Sequence, residues 1–302
     1  MWLLSTDRAE LHFFVSPNRV NGGYAILSHV WGDNEQSFQD VQAIRKSAEE
    51  DGRNPRDLVS AKIRECCLLA ERHGYKWVWN DTCCIDKSSS AELSEAINSM
   101  FLWYSQADIC YAYLQDVPSD APDLDTKFRA SRWYTRGWTL QELIAPDLLI
   151  FVSADWEMIG GRAELASSVT EITKIPEHVL RKEISLGRIS VAQRMSWAAR
   201  RETTRMEDRA YSLLGIFGIS LPILYGEGPQ AFQRLQEEIM RTSIDPSLFA
   251  WGPQSPDTPK LDGYSNLARP TAWLMAGSPS DFENCAAILA LPTRRDHSIT
   301  AA

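Results

Sequence analysis

The chain has 302 residues, 44% hydrophobic and 24% charged, with 40 acidic against 31 basic side chains and a net charge of −9. This size and composition specify a folded globular protein of one large domain or two modest ones. The lack of any basic run argues against a nucleic-acid partner, because neutralising phosphates needs clustered Lys and Arg.

No 18-residue uncharged apolar stretch occurs, so no membrane span is expected. Met1 to Leu4 is too short for a secretory core, and a cytoplasmic location is expected. The cysteines are two adjacent pairs (Cys66-Cys67 and Cys83-Cys84) and two singles, Cys110 and Cys285. That spacing fits neither a zinc site nor a secreted disulfide framework, so buried free thiols and no metal are expected. The sequon Asn80-Asp81-Thr82 falls in an apolar, strand-like run and reads as accidental.

Leu11 to Val15 reads as a short first strand, with a turn at Asn21-Gly22-Gly23. Tyr24 to Gly32, YAILSHVWG, is a near-continuous apolar run of the kind buried on both faces of a parallel sheet. Ligands of open α/β sheets sit at the carboxyl ends of strands, which makes Ser28, His29, Trp31 and Gly32 candidate binding residues. A merely packed Trp31-Gly32 turn is the even alternative. Helices are expected near 38–48 and over 60–73, the second carrying Ile63, Cys66, Cys67 and Ala70 on one face and Gly74 past its end.

Tyr75 to Ile85 reads as a second buried strand, ending at Asp86, another candidate. Ser89-x-x-Glu92 is a capping box opening a helix to about Gln106, whose stripe of Leu93, Ile97, Met100, Phe101 and Tyr104 is core. Ile109 to Asp116 and Leu148 to Val152 are further strands, and Trp156 to Gly161 an edge strand. The alternation predicts an α/β fold: an open, mainly parallel sheet with flanking helices and right-handed crossovers. Neither common phosphate-loop fingerprint is present.

Between the last two strands of that alternating series lies 131–146, SRWYTRGWTLQELIAP. It places Trp133, Tyr134, Trp138, Arg132 and Arg136 around one acid, Glu142, on a short helix from about Thr139 that Pro146 stops. Apolar walls raise a carboxyl's basicity and can stack a planar ligand, so Glu142 is a candidate catalytic group. The bland alternative is a capping box, Thr139-x-x-Glu142, in which Glu142 only bonds back to the backbone.

Beyond residue 162 the pattern is helical, over 163–173, 177–181, 191–200, 207–217 and 228–241. Arg200-Arg201-x-x-x-Arg205 with Glu207-Asp208-Arg209 reads as a salt-bridged helix face. The expected organisation is an α/β domain over 1–162, a helical extension over 163–250 packed on it, and an irregular, partly disordered tail over 251–302.

Three blocks resemble the fungal heterokaryon-incompatibility (HET) domain family: YAILSHVWG (24–32), the run from WVWNDTCCID to YAYLQDV (77–117), and RWYTRGWTLQELIAP (132–146). The stretch 190–239 looks like the region that follows this domain in many fungal members. The resemblance implies a role in non-self recognition and programmed cell death when different hyphae fuse. With no P-loop and no 40-residue repeat in the sequence, a domain-only member is expected. A more distant resemblance is to Toll/interleukin-1 receptor (TIR) domains, through the strand–helix order and Trp138-x-x-x-Glu142-Leu143. In catalytic TIR members the corresponding Glu is essential for cleaving NAD; here the Trp–Glu spacing departs by one residue.

That resemblance implies a cell-death effector that hydrolyses NAD as substrate at the nicotinamide–ribose bond, without a cofactor. Glu142 is then the carboxylate and Trp31, Trp133 and Trp138 the aromatic wall, with Ser28, His29, Asp86 and Arg136 meeting ribose and phosphates. It also implies self-association, and partnership with other incompatibility or NLR-type proteins. The alternative is a non-enzymatic scaffold acting by self-association, with Glu142 a cap. A third, minor reading is a Cys–His hydrolase using Cys83 or Cys84 with His29, for which no base-and-orienter pattern is visible.

Overall fold

Ala25–His29 (β3), buried along its whole length, is the middle strand of a seven-stranded sheet. A computed structural model of the protein describes residues 1–252 and 274–289. Ahead of β3 come Trp2–Ser5 (β1) and Leu11–Phe13 (β2). After it come the helices Phe38–Asp51 (α1) and Ala61–Arg72 (α2), then Trp77–Trp79 (β4), Ser90–Gln106 (α3) and Ile109–Tyr113 (β5). Leu124–Ala130 (α4), Thr139–Ile144 (α5), Leu149–Val152 (β6) and Met158–Gly161 (β7) complete the α/β part. The rest is helical: Ala166–Thr173 (α6), Glu177–Leu180 (α7), Val191–Ser196 (α8), Asp208–Tyr211 (α9), Leu214–Phe217 (α10) and Gln230–Thr242 (α11).

The sheet order is β2-β1-β4-β3-β5-β6-β7. Strands β4, β3, β5 and β6 run parallel, and β1, β2 and β7 add antiparallel edges. The predicted α/β class and parallel core are therefore present, with a helical C-terminal region after them. In the parallel block the chain steps one way from β3 to β4 and the other way to β5 and β6. Right-handed crossovers then put α1 and α2 on one face and α3 and α5 on the other, and α5 packs beside both α3 and β3. The reversal at β3/β5 opens a crevice at the carboxyl ends of these strands, where doubly wound sheets hold their ligands.

Local signals explain most boundaries. Ser37 caps α1 in a capping box with Asp40, and Gly52 ends it in the left-handed conformation. Ser60 caps α2 and Ser89 caps α3, but Glu92 bonds the Asp86 N–H rather than Ser89, so the second expected capping box is half formed. The run expected as a strand to Ile85 stops at Trp79. There Asn80 accepts from Thr82 N and Oγ1 and its carbonyl accepts from Cys84 N, turning the chain out of the sheet. Asn80 is buried, which also removes the sequon from any surface. β1 lay in a run weighed only as a leader; it pairs antiparallel with β4.

All six cysteines are free and buried. Among the described residues no helix is long and apolar enough to cross a membrane. Of the tail expected to be irregular, 253–273 and 290–302 lie outside the described residues. Segment 274–289 packs Phe282 and Cys285 into the core beside α8.

The helical part joins the α/β part through α3. Asn98 clasps the Leu221 backbone, donating to its carbonyl at 3.0 Å and accepting from its N–H at 3.0 Å. Gly215 of α10 lies so close to α3 that an added Cβ would sit 2.0 Å from the Phe101 Cβ. That atom is fixed to the helix backbone, so the clash cannot be relieved by a rotamer. Gly215→Ala is expected to cost about 2–3 kcal/mol and lower Tm by roughly 5 °C, read by calorimetry; an unchanged Tm would show that the two parts separate freely here.

Candidate functional site

Glu142 sits in the second half of the first turn of α5, only 4% exposed. It is not a cap: α5 has no side-chain cap, and the Thr139 hydroxyl donates instead to the Trp133 carbonyl at 2.6 Å. The capping-box alternative is therefore set aside. Glu142 reaches across to β3, where Ser28 Oγ donates to its Oε2 at 2.5 Å, and Trp133 Nε1 donates to that same Oγ at 2.8 Å. Tryptophan, serine and carboxyl form a directed chain that fixes the carboxyl's orientation.

Buried arginines hold α5 at both ends. Arg162 donates to the carbonyls of Leu143, Pro146 and Asp147, satisfying the orphan acceptors at the C-terminus. Arg201 donates through Nη1 to Arg136 O and Thr139 Oγ1, both at 2.9 Å, at the N-terminus. The segment carrying Arg201 is stitched to the loop before α5: Gly137 N donates to Glu202 O at 2.8 Å, and Glu202 N to Thr135 O at 2.7 Å. An added Cβ on Gly137 would lie 2.4 Å from Thr203 Cγ2, so a larger residue here would force the Thr203 side chain to move.

A cavity of about 340 Å³ opens at the carboxyl end of the sheet. Glu142, Arg136, Trp138 and Thr139 line it from the loop and α5, and His29, Trp31, Asp81 and Lys87 from the ends of β3 and β4. Leu93, Ile97 and Met100 of α3 give an apolar floor. Thr204, Arg205, Asp208 and Tyr225 close it from the helical part.

Of the sequence candidates, Glu142, His29, Trp31, Arg136 and Trp138 meet at this cavity. Ser28 and Trp133 stand behind it: Trp133, read as a wall for a planar ligand, is 1% exposed and serves Ser28. Gly32 lies outside, its N–H donating to Glu35. Asp86 also lies outside; it accepts from Ser88 and Gln39 and organises the turn before α3. Asp81 and Lys87 take the place expected of Asp86. The charged junction 200–209, read as a salt-bridged face, instead supplies Arg201 beneath the cavity and Arg205 and Asp208 on its wall. One signal pointed there: Arg201 has Trp197 and Arg205 at helical spacing, so its charge has no local acid to meet it.

Burial pushes the Glu142 carboxyl up to about 8, and the negative charge of Asp81 adds to the rise. The hydrogen bond from Ser28 and the positive Arg201 oppose it. Burial brings Arg201 down to about 10, with Glu142 acting against that fall. Burial raises Asp81 as well, against the pull of Lys87 and of the Trp31 Nε1 hydrogen bond at 2.7 Å. His29, its ring wholly buried near Glu35 and Asp81, is held neutral by desolvation and by the nearby Lys62 and Lys87. Lys87 lies over the exposed Trp31 ring at 3.8 Å, and the Arg205 guanidinium over the Tyr225 ring at 4.3 Å.

The site thus joins a buried carboxyl with a raised proton affinity to aromatic surfaces and cations. Cys83 and Cys84 are buried, the neighbouring Cys84 and then burial hold the Cys83 thiol well up in its protonated form, and neither thiol lines the cavity. A cysteine nucleophile has no place in it.

Residues 24–126 match the family described as Heterokaryon incompatibility protein (HET), and residues 230–301 match a Domain of unknown function (DUF8212). The first match takes in His29, Trp31, Asp81 and Lys87 and ends before Glu142. The chain is 48% identical over 225 residues to Vegetative incompatibility protein HET-E-1 of Podospora anserina. The aligned part is 72% of this chain and 16% of that protein, so the chain spans about one sixth of the relative's length. No solved structure matches the chain significantly.

Proposed function

We propose that this chain, whose residues 24–126 match the Heterokaryon incompatibility protein (HET) family, is an effector of fungal non-self recognition and cell death that hydrolyses NAD at the nicotinamide–ribose bond. The observation that carries the reading is Glu142: a desolvated carboxyl, oriented by Ser28 and Trp133, on the wall of a cavity that aromatic rings and cations surround. The distant TIR resemblance of Trp138-x-x-x-Glu142-Leu143 supports the same role.

The chemistry needs one well-placed negative charge. As the C1′–N1 bond breaks, the bonding pair goes to the pyridinium nitrogen, nicotinamide leaves neutral, and positive charge develops on the ribose as an oxocarbenium ion. A carboxylate with little water around it stabilises that charge strongly. Water then adds at C1′ and releases a proton, giving ADP-ribose. Trp138, and Trp31 at the rim, offer faces for the nicotinamide, and the apolar floor from α3 excludes water from the reacting centre.

In the free protein Glu142 titrates near 8 and must be ionised to act. The expected kcat/KM for NAD therefore falls about tenfold per pH unit below 8 and levels off above about 9. The cationic nicotinamide riboside favours the ionised carboxyl in the complex, so kcat should hold to lower pH than kcat/KM. Nicotinamide release followed from pH 5.5 to 9.5 checks both limbs. A profile flat through pH 7 and 8 in both parameters would remove Glu142 from this role.

A further inference from the structure

We propose that Arg136 and Arg205 form an anion-binding wall that takes the phosphate next to the nicotinamide ribose, so that the helical segment selects phosphate-bearing nicotinamide nucleotides over nicotinamide riboside. The inference rests on the reading of the cavity as an NAD site and names which part of the substrate the helical segment recognises.

Both guanidiniums line the cavity opposite the ends of β3 and β4. Among the described residues neither makes an ion pair with a carboxylate. Arg136 donates through Nη2 to the Thr204 hydroxyl at 3.2 Å, and the Arg205 guanidinium carbon lies over the Tyr225 ring at 4.3 Å. Asp208, also on this wall, is already engaged: it accepts from the Tyr225 hydroxyl at 2.9 Å and is held by Trp138. Lys87, across the cavity, rests on Trp31 and donates to the Thr82 carbonyl at 3.4 Å. The charge of Arg205 is felt by Asp208 and Glu207, but neither arginine has a carboxylate in ion-pair contact among the described residues, which leaves both able to meet an anion that arrives with the ligand. The contact with the Tyr225 ring holds Arg205 at the cavity wall, and its N–H donors can meet phosphate oxygens there. The Thr204 bond fixes Arg136 beside it, and the stitched Gly137–Glu202 contact sets the spacing between them. Because Arg136 precedes Glu142 by less than two turns of chain, an anion held there lies within one nucleotide's reach of the carboxyl.

The test compares wild type with Arg136→Gln and Arg205→Gln on NAD, nicotinamide mononucleotide and nicotinamide riboside. Thermal melts confirm that each variant folds. The expected result is a fall in kcat/KM of roughly tenfold to a hundredfold per arginine on the two phosphate-bearing substrates, and little change on the riboside. An equal fall on all three substrates would overturn the proposal, because the arginines would then serve the fold or Glu142. Calorimetric binding of ADP-ribose and of ribose to Glu142→Gln separates this inference from the reading beneath it. If wild type turns over none of the substrates, tight ADP-ribose binding that Arg205→Gln weakens upholds the anion wall while the NAD-cleavage reading falls. ADP-ribose binding that neither arginine affects overturns the wall itself.

Discussion

Glu142→Gln is expected to leave the protein inactive toward NAD and more stable than the wild type at alkaline pH. The unfolded carboxyl titrates near 4.5 and the folded one near about 8. The folded state therefore holds the proton more tightly, and the stability this contributes is fully present below pH 4.5 and lost as pH rises through 8. The loss amounts to roughly 4–5 kcal/mol once Glu142 is ionised in both states. Glutamine keeps the shape, lets Ser28 donate to its carbonyl oxygen as before, and has no charge to desolvate. Urea unfolding at pH 5 should find the two proteins alike to within about 1 kcal/mol; at pH 9 the variant should be ahead by several. A gap that does not widen with pH would mean that Glu142 is solvated and its burial is not what sets its basicity. Such a trade of stability for a reactive group is the usual cost of a site built inside the core.

Arg201→Met is expected to have the second-largest effect, and its sign also depends on pH. Methionine fills much of the volume but gives up the bonds to Arg136 O and Thr139 Oγ1 and the positive charge near Glu142. At pH 5, where Glu142 is protonated, only the hydrogen bonds and packing are lost, at a cost of about 2 kcal/mol. At pH 9 the carboxyl has lost its counter-charge, and the cost should rise to about 3 kcal/mol. The acid limb of the NAD rate profile should move alkaline by about one pH unit. Combined with Glu142→Gln, the extra loss at pH 9 should vanish, since no charge remains to be stranded. Equal penalties at both pH values, in both backgrounds, would make Arg201 a purely structural clasp.

The sheet was largely legible because its signal is local. Strands β3 and β5 are apolar runs between turn residues, and α2 and α3 carry their core faces at helical spacing. What escaped has no local period. β1 is four residues whose place in the sheet depends on β4, more than seventy residues on, as well as on the adjacent β2, and the expected second strand ends early because Asn80 binds its own neighbours. In the candidate site, aromatic density pointed to Glu142 and strand-end position to His29 and Trp31, both readable in one stretch each. Nearness to Glu142 in sequence suggests Trp133 for a ligand and strand-end position suggests Asp86; the fold turns the first inward onto Ser28 and the second outward into a turn. The cavity's third wall was out of reach for the same reason: Arg205, Asp208 and Tyr225 meet Trp138 only through a crossing of chains some seventy residues apart, which no spacing rule encodes.

Everything proposed for the site depends on Glu142 being the reacting centre of an NAD-cleaving cavity. Nicotinamide released from NAD at pH 8, by wild type and by Glu142→Gln over a range of protein concentrations, tests it most directly. Release with one ADP-ribose per nicotinamide is expected from the wild type, and a rate at least a hundredfold lower from the folded variant. Release at the same rate by both proteins, or none by the wild type at any concentration, would contradict it.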